Sequence, residues 1–381
     1  FIMAKIRQNI IIVFYLFSFG INAQNLTLGA ERINEILEHT MNKNIAIVGN
    51  QTSIVNNVHI VDTLISLNQK IVCVFAPEHG FRGIEDAGAT IKNEIDLKTG
   101  LPIISLYGKN KKPSKKQLNG IDLIIFDIQD VGARFYTYIS TLHYILEASG
   151  EENIEVLVLD RPNPNGHYID GPVLDTAYKS FVGMHEVPIV HAMTVGEYAK
   201  MIVGEKWVKQ KCSLQIVEMI NYNRNKIYSI PVKPSPNLPN DKSINLYPSL
   251  CLFEGTNVSV GRGTNKPFQH YGSPFLSPSG YNFVPKSGPG SKYPKHENKV
   301  CNGKNLETLE VMNSINLDWI IEAYNQTKNK EEFFNDFFDK LSGTDILRKQ
   351  IISGKNSEEI KLSWIPQIQM FKKTREKYLI Y

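Results

Sequence analysis

Cysteine is scarce in this chain: four in 381 residues, at positions 73, 212, 251 and 301, with no C-x-x-C pair. That spacing excludes a thiol zinc site and a disulfide-dense scaffold. Cys73 lies in an apolar run over residues 71–75, where a buried structural thiol is expected. Charge of one sign is lacking too. The net formal charge is +4, and without the first 23 residues, which hold Lys5, Arg7 and no acid, 40 basic side chains face 38 acidic ones. A surface so balanced has no electrostatic footprint for nucleic acid. Long hydrophobic runs are missing as well. The apolar stretch 10–17 has eight residues, too few to cross a bilayer ~30 Å thick. Stable membrane insertion is therefore not expected.

Several catalytic signatures are also missing. Gly49-Asn50-Gln51-Thr52 has neither G-x-G-x-x-G nor a P-loop lysine, and Gly261-Arg262-Gly263-Thr264 is short and follows no βα strand. No nucleotide or other cofactor is expected. There is no G-x-S-x-G elbow to supply a serine nucleophile. There is no H-E-x-x-H or similar tight ligand pair, so no metal is expected.

What is present is a globular composition, 42% hydrophobic and 21% charged, long enough for two to three domains with a true core. With Met3 as its start, the N-terminal segment reads as an export signal over residues 1–23. Lys5 and Arg7 precede the apolar run, and small or polar residues follow up to Asn22-Ala23-Gln24. No cysteine follows the expected cut, which argues against a lipoprotein, and the protein is expected to be exported, periplasmic or secreted.

From residue 24 to about 230, β-rich runs alternate with amphipathic stretches. The runs are 44–49, 70–76, 102–107, 121–127, 154–160 and 214–219, with helices expected at 59–67, 138–148 and 195–203. Thr194 and Glu197 form a capping-box pattern before the last of these. Strands that are apolar throughout and separated by helices predict a doubly wound, mostly parallel α/β sheet covered on both faces. The texture changes at residue 231. Four prolines fall within 231–239, and a Gly-, Ser- and Asn-rich region extends to about residue 303. Residues 231–381 are expected to form a smaller, mixed α+β domain with long loops. Phe333, Phe334, Phe337 and Phe338 read as core packing in its helical tail.

Polar clusters follow nearly every expected strand: Asn50-Gln51-Thr52, Glu78-His79-Gly80, Asp127 through Arg134, and Asp160 through Asn165. In open α/β sheets ligands bind at the carboxyl ends of the strands, so these clusters would meet at one edge. Carboxylates among aromatic and amide neighbours suit sugar chemistry. Glycoside cleavage needs a protonated acid at the leaving oxygen and a second group that attacks or stabilises the anomeric carbon. Glu78, after an apolar strand and Pro77, suits the acid, because partial burial raises a carboxyl pKa. Asp127, Asp130 and Glu254 stand open for the second role. The structural readings are that Asp130 pairs with Arg134 at helical spacing and that Asp160-Arg161 is a loop-fixing ion pair.

Taken in order, the motifs resemble the NamZ-type exo-β-N-acetylmuramidases, glycoside hydrolase family 171. The matching stretches begin with Ala76-Pro77-Glu78-His79-Gly80-Phe81-Arg82-Gly83 and Asp127-Ile128-Gln129-Asp130-Val131-Gly132-Ala133-Arg134-Phe135-Tyr136-Thr137-Tyr138. Asp160-Arg161-Pro162-Asn163-Pro164 and Pro234-Ser235-Pro236-Asn237-Leu238-Pro239 come next. Glu254-Gly255-Thr256-Asn257-Val258-Ser259, Gly261-Arg262-Gly263-Thr264 and the closing Tyr378-Leu379-Ile380-Tyr381 complete the set. One departure is Ala192, where the resemblance leads us to expect glycine. The resemblance implies a Rossmann-like domain joined to a smaller one, a cleft between them, and release of N-acetylmuramic acid from the non-reducing end of peptidoglycan-derived muropeptides or disaccharides. His79, Gln129, Arg134, Tyr136, Tyr138, Asn163, Asn237 and Arg262 are the expected substrate contacts. Arg134 and Arg262 are candidates for the lactyl carboxylate that separates muramic acid from glucosamine. Two other readings stay open: a metal-dependent amidase or deacetylase with Glu78, His79, Asp127 and Asp130 as ligands, and a non-catalytic wall-binding module.

Overall fold

The computed structural model describes residues 25–78, 80–81 and 94–381. The expected export signal, His79 and the Arg82-Gly83 end of the first motif lie outside the described residues.

Seven strands make the central sheet: β1 (Ile45–Gly49), β4 (Ile71–Ala76), β5 (Glu94–Ile95), β6 (Pro102–Ser105), β7 (Leu123–Asp127), β8 (Glu155–Leu159) and β9 (Leu214–Val217). Between the first two, β2 (Ile54–Val55) and β3 (Val58–His59) form a hairpin. The sheet order is β5-β6-β4-β1-β7-β8-β9, with only the edge strand β5 antiparallel. The six parallel strands fall on the six expected runs. They are made of β-branched and other apolar residues, and alternate residues feed the two faces. Ala46, Val48, Phe75, Ile124, Phe126, Val156 and Val158 join one core. Ile45, Ile47, Val74, Ile125, Leu157 and Leu159 join the other.

Helices Ile60–Ser66, Tyr138–Glu152 and Val195–Gly204 cover the sheet where amphipathic stretches were expected. The Thr194 side chain accepts the Glu197 amide and Glu197 answers it, a complete capping box. The C-terminal part carries a three-stranded antiparallel sheet of β10 (His270–Ser273), β11 (Asn282–Phe283) and β12 (Cys301–Asn305), in the order β10-β12-β11. The phenylalanine run divides. Phe333 and Phe338 are fully buried, whereas Phe337 is 39% exposed.

The final helix, Ser357–Glu376, leads the chain back to the first sheet. Arg375 Nη2 donates to Ala192 O (2.7 Å), the Tyr378 hydroxyl to Glu205 Oε1 (2.6 Å), the Ile380 amide to Glu197 Oε1 (2.9 Å) and the Tyr381 hydroxyl to Asp160 Oδ2 (2.9 Å). Gly204 has no side chain because a Cβ there would meet the Tyr378 ring. Ala192 sits at φ +53°, in the left-handed region, which is the physical reason for expecting glycine. All four cysteines are free and buried.

Candidate active site

At the carboxyl edge of the sheet a cavity of about 340 Å³ opens beneath the C-terminal part of the chain. Glu78, just past β4, and Tyr107, just past β6, supply one wall. Thr137 Oγ1, at the start of the Tyr138–Glu152 helix, donates to Glu78 Oε2 (3.1 Å). Burial, together with the charge of Glu78 and a hydrogen bond to it, raises the Tyr107 phenol well above its ordinary range. The lining also carries Glu254, on the 3₁₀ turn Cys251–Gly255, and Arg262. Arg262 Nε reaches both Glu254 oxygens (3.3 and 3.2 Å), and its guanidinium lies 4.9 Å over the Phe268 ring. Neither terminal nitrogen of Arg262 has a hydrogen-bond partner among the described residues. Phe135, Tyr136, Phe181, Tyr247 and Phe337 provide flat apolar surface.

The segment 231–239 crosses this edge as a strap. Its Pro234 carbonyl lies 2.9 Å from the Tyr136 hydroxyl, 3.2 Å from that of Tyr138 and 3.1 Å from Gln51 Nε2. Ser235, Asn237 and Leu238 beyond it line the cavity. Asn237 is held by its Nδ2 on Gly290 O (2.7 Å).

Of the expected residues, Glu78, Tyr136, Asn237, Glu254 and Arg262 therefore share one cavity. Tyr138 stands behind it, its hydroxyl 3.4 Å from the Glu78 carbonyl. The others have different places. Asp127 is fully buried and spends both oxygens on Arg161, Oδ1 on Nε (2.6 Å) and Oδ2 on Nη2 (3.0 Å). Arg161 thus pairs with Asp127 rather than Asp160, which instead receives Thr194 Oγ1 (2.7 Å) and the Gly196 amide (2.8 Å). Asp130 is buried off the cavity and accepts the Gly132 amide (2.6 Å), while its other oxygen has no hydrogen-bond partner among the described residues. Burial pushes that carboxyl up to about 7.

Arg134 does not pair with Asp130 and does not reach the cavity. It is fully buried and donates to four carbonyls: Pro172 (2.8 Å), Val187 (2.7 Å), Leu341 (3.0 Å) and Ser342 (2.7 Å). A lactyl carboxylate has no access to it. Asn163 is also buried, with Nδ2 on Met193 O (2.9 Å) and Oδ1 receiving the Asn165 amide (2.8 Å). Gly132, at φ +76°, leaves room for that Asn163 amide, which a Cβ would strike. Gln129 faces a different cavity.

Sequence reasoning missed three contributors. Tyr107 ends an expected strand, so the rule that selected the other clusters would have found it. Thr137 stood in a quoted motif but carried no assigned role. Lys295 gave no local signal. Its ammonium sits among the carbonyls of Phe253 (3.2 Å), Glu254 (3.4 Å), Thr256 (2.5 Å) and Val258 (3.2 Å), bracing the turn that presents Glu254. Burial lowers its pKa.

Models of the two halves of one family match the chain: exo-β-N-acetylmuramidase NamZ, N-terminal, over residues 45–242, and its C-terminal counterpart over 245–381. The chain is 40% identical to the peptidoglycan β-N-acetylmuramidase NamZ of Bacillus subtilis (strain 168), across 82% of this chain and 80% of that one. Two crystal structures of DUF1343 family proteins from Bacteroides fragilis NCTC 9343 superpose on it. One, at 1.30 Å, has a TM-score of 0.87 and 46% identity, covering 94% of this chain and 99% of that one. The other, at 1.65 Å, has a TM-score of 0.79 and 27% identity, covering 93% and 99%.

Proposed function

The chain belongs to the NamZ family of exo-β-N-acetylmuramidases, and from that membership we propose that it is an exo-acting glycoside hydrolase releasing N-acetylmuramic acid from the non-reducing end of peptidoglycan fragments. The observation that carries the site assignment is the shared cavity, lined by both Glu78 and Glu254, the latter held by Arg262. At about 340 Å³ it lies at the small end of ligand pockets, room for a terminal amino sugar rather than a passing glycan.

Glu78 is the proton donor to the leaving glycosidic oxygen, with one of its oxygens already oriented by Thr137. The 2-acetamido carbonyl of the substrate then attacks the anomeric carbon, and water opens the resulting ring. Glu254 is the carboxylate left to orient the acetamido group, since Asp127 and Asp130 are off the cavity. Glu78→Gln keeps the shape and removes the proton. Its kcat on a chromogenic muramide with a poor leaving group should fall by about 100-fold or more. Near-normal turnover would remove Glu78 from this role.

Turnover by the purified protein also separates an enzyme from a wall-binding module, and turnover that survives a strong chelator separates it from a metal-dependent amidase. The segment over residues 1–23 supports export of the chain. Cell fractionation that finds full-length protein in the cytoplasm alone would reject that reading.

A further inference from the structure

The parallel strands run outward from β1 in both directions, to β4 on one side and to β7 on the other. That reversal is the topological switch point, where doubly wound sheets leave a crevice for ligand. The cavity holding Glu78 is not in it. The switch-point crevice is a second cavity of about 320 Å³, lined by Thr52 past β1, Gln129 past β7 and Arg161 past β8. The strap separates the two. Ile230, Pro231 and Val232 wall the second cavity, Ser235, Asn237 and Leu238 wall the first, and the bolted Pro234 lies between.

Two buried side chains keep unused hydrogen-bonding capacity there. Arg161, 3% exposed, spends Nε and Nη2 on Asp127 and the Ile54 carbonyl (3.3 Å), which leaves Nη1 with no partner among the described residues. Gln129, 2% exposed, spends Nε2 on the carbonyls of Asp130 (2.8 Å) and Pro162 (2.7 Å), which leaves Oε1 likewise. One donor and one acceptor thus share the lining with apolar Ile54, Ile230 and Val232 and with the amides Asn56 and Asn57. Charge narrows the ligand. The Arg161 cation is matched by Asp127, and Glu31 adds a further carboxylate to the lining, so phosphates and carboxylated sugars are disfavoured.

We infer that this cavity is a binding site for an uncharged amino sugar of the N-acetylglucosamine class. Its ring would stack on the apolar side chains while its hydroxyl and amide groups meet Arg161 and Gln129. The choice of sugar rests on the muramidase reading, because release of a terminal muramic acid leaves such a residue at the new non-reducing end.

The test titrates the full chain with N-acetylglucosamine, followed by calorimetry and ligand-observed NMR, with N-acetylmuramic acid and inorganic phosphate in parallel. Saturable binding of N-acetylglucosamine is expected, undisturbed by saturating N-acetylmuramic acid. It should weaken by about tenfold or more in Ile54→Trp and Ile230→Trp, each of which places an indole in the cavity. Thermal melts establish that the variants fold. Independently of them, a photoreactive N-acetylglucosamine should label wild-type residues 54–57 or 230–232. Displacement by N-acetylmuramic acid, preference for phosphate, unchanged affinity in a folded variant, or labelling confined to the Glu78 cavity would each overturn the assignment. Muramide turnover is read on the same samples, so a failure of the proposed function shows separately from a failure of this site.

Discussion

Arg134 and Arg262 show how far residue type alone can be pushed. Both suit a carboxylate, because the guanidinium fork matches it better than an ammonium does. Burial and partners decide between them. Arg134 is consumed by four carbonyls, while Arg262 reaches the cavity with both terminal nitrogens unpaired among the described residues. Arg262→Lys keeps the charge and loses the fork. Its preference for muramides over matched glucosaminides, measured as a ratio of kcat/KM, should drop by about tenfold or more. A retained preference would mean that another group reads the lactyl carboxylate. Arg134→Met should instead lower stability by about 3 kcal/mol or more through its stranded carbonyls, with the preference intact in whatever folds.

Ala192 is a smaller case of opposing terms. A left-handed alanine costs about 1–2 kcal/mol. Glycine there would lose a buried methyl worth about 0.8 kcal/mol and gain unfolded-state entropy worth about 0.4–1 kcal/mol. The terms nearly cancel, so the departure from glycine is tolerated.

Among elements, the strands were the most legible. An apolar run of five or six residues bounded by polar exits has few alternatives, and all six expected parallel strands formed. The proline-rich strap was recognisable as an irregular segment. Its position was not, because that depends on hydroxyls of Tyr136 and Tyr138 about a hundred residues earlier converging on one carbonyl. The turn bearing Glu254 was harder still. Its brace, Lys295, lies 41 residues from Glu254 in a loop of ordinary polar composition, and nothing local distinguishes it from a surface lysine. Lys295→Met should strand several carbonyls and let Glu254 drift. The expectation is a kcat loss of about tenfold with a shifted pH profile, and recovery of neither by added salt. A Tm decrease with unchanged kcat and pH profile would make the lysine structural only.

For the molecule as a whole, pH dependence follows from buried groups that do not themselves line the cavity holding Glu78. Burial holds His143 and His270 down to about 4, His191 down to about 3, and His185 well below its ordinary value. These histidines stay neutral in the fold and take up protons once unfolded. Their contribution is complete above about 6.5 and is lost as pH falls towards 4. Burial raises the carboxyls of Asp130 and Asp160 up to about 7, which has the opposite sign: that contribution is present below about 4 and is lost as pH rises through 7. Four histidines outweigh two carboxyls, so stability measured by chemical denaturation should rise from pH 4.5 to 6.5. Asp130→Asn removes one opposing group. It should make that rise steeper and increase stability above pH 7, whereas an unchanged slope would show that Asp130 ionises normally in the fold.

The return of the tail to the first sheet bears on how the molecule is made. Peptide synthesis runs in one direction, at about 5–20 residues per second. The Tyr381 hydroxyl that reaches Asp160 comes 221 residues after it, and the Ile380 amide that reaches Glu197 comes 183 residues after it. The edge they seal therefore stays open on the ribosome for roughly ten seconds or more. Until residues 375–381 emerge, a nascent first lobe has its strands but not its closure. Translation thus supplies these hydrogen bonds to the first lobe only after its strands and helices have been made.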